Sequence, residues 1–247
     1  SEMPAQHLPS HLFNGMLYPL LDVDFAGVIW YQGENNAIGE ESCNDYEEVL
    51  RTMIVDWREA FEKPSLPFLI VQLPDFGREG GIFNYKQIRE AQRAMLELPA
   101  TGLAITIDVG DPEDIHPRNK HDIGDRLARW ALVDVYDKKG IIKSGPLPKS
   151  ISQSGYTIKI TFETFGSPLA TRDGKVAVSG FEVVGTSGDV LSSPARIAND
   201  NTVEVLIPAD WGGPVAVRYG WRESPTDASL ANEVGLPASP FEIAVNE

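Results

Sequence analysis

The chain is poor in cysteine and in basic residues, and these shortages exclude several classes of function. Its one cysteine, Cys43, cannot form a disulfide within the chain. The 21 lysines and arginines are outnumbered by 36 aspartates and glutamates, which gives a formal charge of −15. Nucleic-acid phosphates and anionic membranes bind basic surfaces, so we expect neither as a partner. The sequence has no run of about 20 apolar residues that could span a membrane, and residues 1–11 lack the pattern of a signal peptide.

Histidine is scarce as well, and the sequence contains no recognisable metal or phosphate motif. Asp111, Asp114, His116 and His121 lie close together, but they match no zinc spacing. A glycine-rich phosphate loop is absent. We therefore expect no metal and no cofactor. We expect His121 to face solvent, and the remaining two histidines to be exposed in an N-terminal loop; they are His7 and His11.

The first 140 residues or so alternate short apolar segments with segments of helical period. Three strands are predicted, at residues 28–31, 68–73 and 103–107. A capping box of Asn44 and Glu47 predicts the start of the first helix. Two further helices are predicted, at about residues 84–98 and 122–137. This alternation is typical of a parallel sheet with helices on its faces, so the predicted fold class is α/β.

The composition changes at residues 138–150, beyond which the helical period disappears. Segments with the alternating pattern of strands follow, separated by Asp-Gly, Ser-Gly and Asn-Asp-Asn turn sequences. We predict an α/β domain over residues 1–145 and a small antiparallel β-domain over residues 146–247. The last segment reads as irregular, and its Pro237 and Pro240 predict an extended strap that lies on a neighbouring surface.

The first predicted strand runs directly into an amide- and acid-rich turn, YQGENN at residues 31–36, called here the first polar segment. Open α/β sheets bind their ligands at the carboxyl ends of their strands, so this turn is a candidate site. A glycine lets the backbone approach a ligand closely, and amides can donate to an oxyanion or to sugar hydroxyls. Taken alone, Glu34 is more simply interpreted as an exposed loop glutamate. The candidate residues are Tyr31, Gln32, Gly33, Glu34 and Asn36.

A second polar segment, GDPEDIHPRNKHD at residues 110–122, follows the third predicted strand. It places Asp114 two residues before His116. A carboxylate near an imidazole fixes its tautomer and favours its protonated form, as a general base requires. A loop histidine in a turn capped by Asp114 is the alternative. The sequence alone leaves both interpretations open.

The tryptophans favour packing over ligand binding. Trp57 and Trp130 lie on apolar helix faces, and Trp30 ends a strand. Trp211 and Trp221 fall in the predicted β-domain, where packing is favoured but a platform for a sugar ring stays open.

The two polar segments together resemble a known family. WYQGENN at residues 30–36 and DIHPRNK at residues 114–120 are similar to motifs of the sialate O-acetylesterases and related carbohydrate acetylesterases of the SGNH hydrolase superfamily. Other similar stretches include LPFLIVQLPDF at residues 66–76 and TGLAITIDVGD at residues 101–111. The resemblance covers nearly the whole chain. It implies part of a flavodoxin-like three-layer α/β/α sheet followed by a small β-domain.

The resemblance also implies a chemistry, the removal of acetyl groups from sugar hydroxyls by a serine-type mechanism without a metal or cofactor. It implies that His116 is the general base, that Asp114 or Glu34 is the acid that orients it, and that Gln32, Gly33 and Asn36 line the oxyanion side. The family's nucleophile lies in a Gly-Gln-Ser-Asn motif that this chain does not contain. We therefore expect an N-terminal segment of the same enzyme to carry the serine and to cover an exposed edge of the sheet.

Two alternatives remain at this stage. The chain could be a carbohydrate-binding or scaffolding protein that has lost its nucleophile, or a lipase-like or peptidoglycan-active SGNH hydrolase. The sugar is not specified, since acetylated sialic acid, xylan and xyloglucan all fit. Arg118 or Lys120 could meet a sialate carboxylate. The family resemblance implies a periplasmic or secreted location.

Overall fold

The computed structural model describes residue 4, residues 8–208, residue 211 and residues 213–245. Two short helical turns, Phe13–Leu17 and Tyr18–Leu20, precede the α/β part. The α/β part is then built from β1 (Val28–Trp30), α1 (Glu40–Ala60), β2 (Phe68–Val71), α2 (Tyr85–Ala94), β3 (Thr101–Ala104) and α3 (Lys120–Trp130). A 3₁₀ turn, Met95–Glu97, extends α2, and a π-helical turn, Ala131–Val135, extends α3. No helix in the described part of the chain is both long and apolar enough to cross a membrane.

The three strands form a parallel sheet in the order β1-β2-β3, covered on both faces by helices. Successive residues of a strand point to opposite faces. Accordingly, Phe68 and Ile70 join the cluster that contains the buried residues of α1 and α2, whereas Leu69 and Val71 pack with Trp130 and its neighbours on α3. The predicted three-layer α/β/α arrangement is confirmed.

The predicted start of the first helix is wrong. The helix begins at Glu40, so that Asn44 and Glu47 lie inside it and form no capping box. Gly39, with φ of +86°, is the residue at the N-cap position. Two acids in the first turn, Glu40 and Glu41, stabilise the positive end of the helix dipole. The helix can therefore begin four residues before Asn44.

The strands of the remainder of the chain, called here the β-part, pair in antiparallel fashion, as predicted. A five-stranded sheet has the order β4-β5-β11-β10-β7 and a four-stranded sheet the order β14-β12-β8-β9, while β13 pairs with β6. The strands are β4 (Leu147–Ser154), β5 (Thr157–Glu163), β6 (Leu169–Thr171), β7 (Ala177–Val178), β8 (Phe181–Gly185), β9 (Val190–Ser192), β10 (Ala195–Asn199), β11 (Thr202–Leu206), β12 (Pro214–Tyr219), β13 (Leu230–Asn232) and β14 (Phe241–Ala244).

The C-terminal segment is more regular than the sequence suggested, because it contributes β13 and β14 to two sheets. Between these strands it does run as a strap against the α/β part. Gln72, at the end of β2, donates from Nε2 to Ser239 Oγ over 2.9 Å, and both side chains are fully buried. That contact joins the two halves of the chain; the predicted boundary between residues 145 and 146 stays a prediction.

A buried arginine makes a second connection between the halves. Arg89 of α2 has no exposed surface, and it donates to the carbonyl oxygens of Leu73, Pro74, Arg222 and Glu223. Five donors in a planar fork suit this task, which an ammonium could not perform. The β-part residues 222–223 are therefore fixed against the loop that follows β2.

Candidate active site

The two polar segments meet at the carboxyl end of the parallel sheet. The first segment follows β1 directly, and the second follows β3 after a buried extension through Ile107. They are joined by Lys120, whose Nζ lies 4.8 Å from the centre of the Tyr31 ring. A cation over an aromatic face at this distance is attracted by the ring electrons. Residues about 90 positions apart in the sequence are thereby brought to one edge of the sheet.

The backbone of Gln32 is held from beneath by two side chains that sequence reasoning did not assign to the site. Tyr46 Oη donates to the Gln32 carbonyl oxygen over 2.9 Å, and Gln92 Nε2 donates to the same oxygen over 3.0 Å. Gln92 is fully buried, and its Oε1 also accepts from the Leu73 amide at 2.8 Å. The sequence did contain a sign of this role, because Gln92 is a polar residue on the apolar face of its helix.

Gly33 occupies a position where no side chain fits. Its φ is +144°, and a Cβ there would lie 2.8 Å from Ile88 Cγ2 and 3.3 Å from Tyr46 Oη. The glycine therefore lets the first polar segment turn tightly against α1 and α2. The close neighbours of this glycine are helix side chains, and the expected close approach of the backbone to a ligand stays a prediction.

The two amide side chains of the first polar segment form a chain of hydrogen bonds. Gln32 Nε2 donates to Asn36 Oδ1 over 2.6 Å, and Asn36 Nδ2 donates to Ser42 Oγ over 3.2 Å. An amide nitrogen carries two protons, so Asn36 keeps one for a further acceptor. Gln32 thus orients Asn36 and uses its own amide nitrogen in doing so.

Glu34 is partly buried, and its charge acts on the nearby phenols of Tyr31 and Tyr46. Burial raises the pKa of Tyr31 to about 12, and the negative charge of Glu34 adds to this rise. Burial likewise raises the pKa of Tyr46 to about 12, with a smaller contribution from the same carboxylate. Both phenols therefore stay protonated at neutral pH and can act only as neutral hydrogen-bond donors or acceptors.

His116 lies at the surface with its ring free to meet another molecule, since 89% of the side chain is exposed. Its Nδ1 is 3.6 Å from Asp114 Oδ1, which is longer than a hydrogen bond. The same Asp114 oxygen accepts the main-chain N–H of His116 over 2.9 Å. Asp114 therefore caps the turn, as the alternative interpretation stated, and it is also the carboxylate beside the imidazole. The catalytic roles of both residues stay predictions.

The second polar segment is anchored from below by a buried carboxyl group. Asp75, 5% exposed, lies against the main chain of Gly110 and accepts a hydrogen bond from Ser224 Oγ at 3.2 Å. Burial raises the pKa of Asp75, while Ser224, the charge of Arg89 and the Gly110 amide oppose this rise. Neither Asp75 nor its partners was identified from the sequence, because their proximity is created by the tertiary fold.

Two more contacts fix the same segment. Gly77 N donates to the Pro112 carbonyl oxygen over 3.0 Å, and Arg78 forms an ion pair with Glu113. The loop after β2 therefore runs alongside the segment that carries His116.

The other polar candidates do not take part in this arrangement. His121 is 93% exposed on the first turn of α3, as expected. His11 is exposed, and His7 lies outside the described residues. Burial raises the pKa of Cys43 to about 11, so this thiol is not ionised at neutral pH. Within the described ranges, no group of three or more His, Cys, Asp or Glu side chains is arranged to hold a metal ion.

Comparisons with known proteins find similar sequences in one family. Residues 12–132 match the family model described as carbohydrate esterase, sialic acid-specific acetylesterase. The sialate O-acetylesterase of Mus musculus is 31% identical over 270 residues, covering 96% of this chain and 47% of the mouse protein. The sialate O-acetylesterase of Homo sapiens is 28% identical over 264 residues, covering 96% of this chain and 49% of the human protein. The chain thus spans about half the length of the curated relatives it matches.

A solved structure extends the similarity to the fold. The crystal structure of a carbohydrate acetylesterase from Xanthomonas citri superimposes with a TM-score of 0.88 at 42% sequence identity. The match covers 96% of this chain and 54% of the other. Both the α/β part and the β-part are included in it, which confirms the predicted fold class. The chain belongs to the carbohydrate esterase family of sialate O-acetylesterases and related carbohydrate acetylesterases.

Proposed function

We propose that this chain supplies the general base, the orienting acid and the oxyanion side of a serine-type carbohydrate O-acetylesterase. The observation that carries the proposal is the meeting of the two polar segments at one sheet edge, through Lys120 and Tyr31. This edge presents an exposed imidazole and an oriented amide. Family membership supplies the class of reaction, the hydrolysis of a carboxylic ester on a carbohydrate.

The reaction is an acyl transfer in two steps. His116 removes the proton from a serine hydroxyl as its oxygen attacks the acetyl carbonyl, and the free Nδ2 proton of Asn36 stabilises the oxyanion that forms. The protonated His116 then gives this proton to the departing sugar oxygen, leaving an acetyl-serine. Water, deprotonated by His116, then attacks the acetyl carbonyl carbon. The bond from that carbon to the serine oxygen breaks, His116 returns the proton to the serine oxygen, and acetate is released. Asp114 stabilises the imidazolium between these steps.

The serine, in this proposal, belongs to an N-terminal segment of the same enzyme. Among the residues that the structure describes, strand β1 pairs only with β2 and so lies at an edge of the parallel sheet. Its Ile29 is 65% exposed. Beside it lies a groove of about 180 Å³ lined by Leu69, Val135 and Tyr136 among others. A free strand edge with an apolar groove is a template for a further strand. The relatives, about twice as long as the chain, have sequence to supply one.

The experiment is acetate release from O-acetylated sialic acid and from acetylated xylo-oligosaccharide, with and without a co-expressed N-terminal segment that carries the Gly-Gln-Ser-Asn motif. We expect release only from the pair. In the active pair, His116→Ala should lower kcat by at least about three orders of magnitude. The matched control is His121→Ala, because this exposed histidine lies five positions away in the sequence and has no part in the proposed reaction.

The outcomes separate the candidate functions. Normal turnover by the His116→Ala pair would refute the assignment of the base. A pair that binds acetylated glycan but releases no acetate would favour the non-catalytic, carbohydrate-binding function. The faster of the two substrates identifies the sugar class, and loss of sialate turnover in Arg118→Ala would show that this residue meets the sialate carboxylate. A periplasmic or secreted location belongs to the same proposal and is tested by cell fractionation.

A further inference from the structure

A second cleft lies where the N-terminal end of α2 faces the four-stranded sheet of the β-part. Its volume is about 440 Å³. One wall consists of Glu79, from the loop after β2, and of Lys86 and Gln87, from the first turn of α2. The opposite wall comes from the β-part and includes Trp221 and Arg222, just after β12. None of these residues belongs to the site described above.

The floor of the cleft is a row of alternating charges across three strands. Arg218 of β12 is directly opposite Glu242 of β14 on one side and Glu182 of β8 on the other. Directly opposite residues of an antiparallel sheet share a face, so the three side chains form a continuous polar surface. Arg218 also lies over the indole of Trp221, with 5.7 Å between the guanidinium carbon and the ring centre.

Every cation of this lining is paired with a carboxylate. Arg218 Nε donates to Glu242, and Arg222 Nη2 donates to Glu182 Oε1 over 3.0 Å. Lys86 Nζ lies 3.4 Å from Glu223 Oε1 and 3.7 Å from the carboxylate of Glu79. The positive charges are therefore balanced, which makes the cleft a poor site for a phosphate or another anion.

Paired guanidinium and carboxylate groups, whose charges cancel, are instead suited to bind a neutral sugar when they lie beside an aromatic ring. Adjacent hydroxyls of a pyranose both donate and accept hydrogen bonds, and guanidinium, carboxylate and carboxamide groups meet them in pairs. The apolar face of the sugar ring packs on an indole. Trp221 is partly exposed at the cleft, and Gln87 adds a neutral amide to its rim.

The loop after β2 connects the cleft to the segment that carries His116. Glu79 follows Arg78 in the chain, and Arg78 is paired with Glu113 of the second polar segment. Gly77, one residue earlier, donates to Pro112 of the same segment. The same loop thus lines the cleft through Glu79 and contacts the segment that carries His116.

We propose that this cleft is a binding subsite for an unmodified, neutral sugar residue of the same glycan whose acetylated residue lies at His116. The inference rests on the proposed function for the identity of the ligand. It adds that the enzyme prefers acetylated oligosaccharides to acetylated monosaccharides, and that Trp221 is the principal contact of the subsite. The reacting groups of the esterase are not part of it.

The first test measures binding without any chemical step. The full chain is titrated calorimetrically with xylohexaose, cellohexaose and sialyllactose. We expect one of the neutral hexasaccharides to bind, and Trp221→Ala to weaken that binding about ten-fold or more. Tyr156→Ala is the matched control, because Tyr156 is also an aromatic residue of the β-part, is 59% exposed and does not line the cleft. Its affinity should equal that of the parent.

If Trp221→Ala loses its fold by circular dichroism, Gln87→Ala replaces it, with an expected several-fold loss of affinity. Binding of neither hexasaccharide, preference for sialyllactose, or equal affinities for the parent and the cleft variant would each overturn the proposal. Failure of acetate release would not affect this measurement, because the probes carry no acetyl group. The failure of the subsite and the failure of the proposed function are therefore distinguished.

A second test uses the active pair. Trp221→Ala should raise KM for an acetylated xylo-oligosaccharide about ten-fold, leave its kcat unchanged and leave turnover of para-nitrophenyl acetate unchanged. If Trp221 had only a structural role, its removal would instead lower the turnover of both substrates together. That result would overturn the proposal.

Discussion

Gly110 lies so close to Asp75 that a Cβ at position 110 would be 2.2 Å from both the carbonyl oxygen and the Oδ1 atom of that aspartate. Asp75 belongs to the loop after β2, and Gly110 begins the second polar segment. The contact is therefore one of the points at which the segment that carries His116 is fixed to the body of the protein. No side chain can be accommodated there without moving one of the two loops.

Gly110→Ala should therefore destabilise the protein by about 1–3 kcal/mol, because either the segment or the buried Asp75 must shift. The free energy of unfolding in urea measures this. Gly124→Ala is the control, since Gly124 lies on α3 with nothing within 4 Å of its added Cβ. It should be neutral or stabilising by up to about 1 kcal/mol, through helix propensity. Equal stability of the two variants would contradict the close approach.

The buried guanidinium of Arg89 should be irreplaceable by an ammonium. Burial lowers the pKa of Arg89 to about 10, so it remains charged at neutral pH while donating to four carbonyl oxygens. Arg89→Lys keeps the charge but loses the fork, and we expect a loss of about 2–5 kcal/mol in the free energy of unfolding. Arg93→Lys, on the same helix and paired with Glu90, should cost less than about 1 kcal/mol.

A loss in Arg89→Lys no greater than that in Arg93→Lys would show that the connection between the α/β part and residues 222–223 is weaker than the hydrogen bonds indicate. Urea unfolding of both variants under the same conditions decides this.

Asp75 should make the stability depend on pH with a sign opposite to that of most aspartates. Burial raises its pKa above the ordinary 3.8, so the folded chain binds the proton more tightly than the unfolded chain. Protonation therefore stabilises the fold, and this contribution is lost as pH rises through the folded pKa. The stability of the parent relative to Asp75→Asn should increase as pH falls from about 7 toward about 4.

Asp122 supplies the contrast. The side-chain hydrogen bond from Asn119 lowers the pKa of Asp122, so its contribution is lost as pH falls through the folded value. The stability of the parent relative to Asp122→Asn should accordingly decrease below the ordinary pKa of 3.8, as pH falls from about 4 toward about 2. Slopes of the same sign for the two variants in urea titrations would refute the sign derived for Asp75.

The sequence was sufficient for the parallel sheet, the antiparallel part and the meeting of the polar segments, because each depends on local period and on where strands end. It was not sufficient for the start of α1, where an apparent capping box at Asn44 competed with Gly39. It also missed Gln92 and Asp75. Their importance comes from the atoms that they reach, the Gln32 carbonyl and the Gly110 backbone, and contacts between distant residues leave no local pattern.

The tight turn at Gly33 should be tested against a second glycine of positive φ that lies in open surroundings. Gly33 and Gly39 both have positive φ, but a Cβ at Gly33 would clash with Ile88, whereas nothing lies within 4 Å at Gly39. Both alanine variants carry the backbone strain of about 1 kcal/mol or more. Gly33→Ala adds a steric cost of about 1–3 kcal/mol. Equal losses in urea unfolding would contradict the predicted clash.

The two candidate orienting acids, Asp114 and Glu34, can be ranked by isosteric variants in the active pair. Asp114 is the carboxylate at 3.6 Å from His116 Nδ1, whereas Glu34 lies in the other polar segment beside Tyr31 and Tyr46. Asp114→Asn keeps the Oδ1 that caps the turn and removes only the charge. We therefore expect kcat to fall by about four orders of magnitude, and by less in Glu34→Gln.

Steady-state kinetics of the two variants under the same conditions measures this. A greater loss of kcat in Glu34→Gln than in Asp114→Asn would assign the orienting role to Glu34. Asp114 would then serve only to hold the main-chain N–H of His116, at the 2.9 Å that the structure shows.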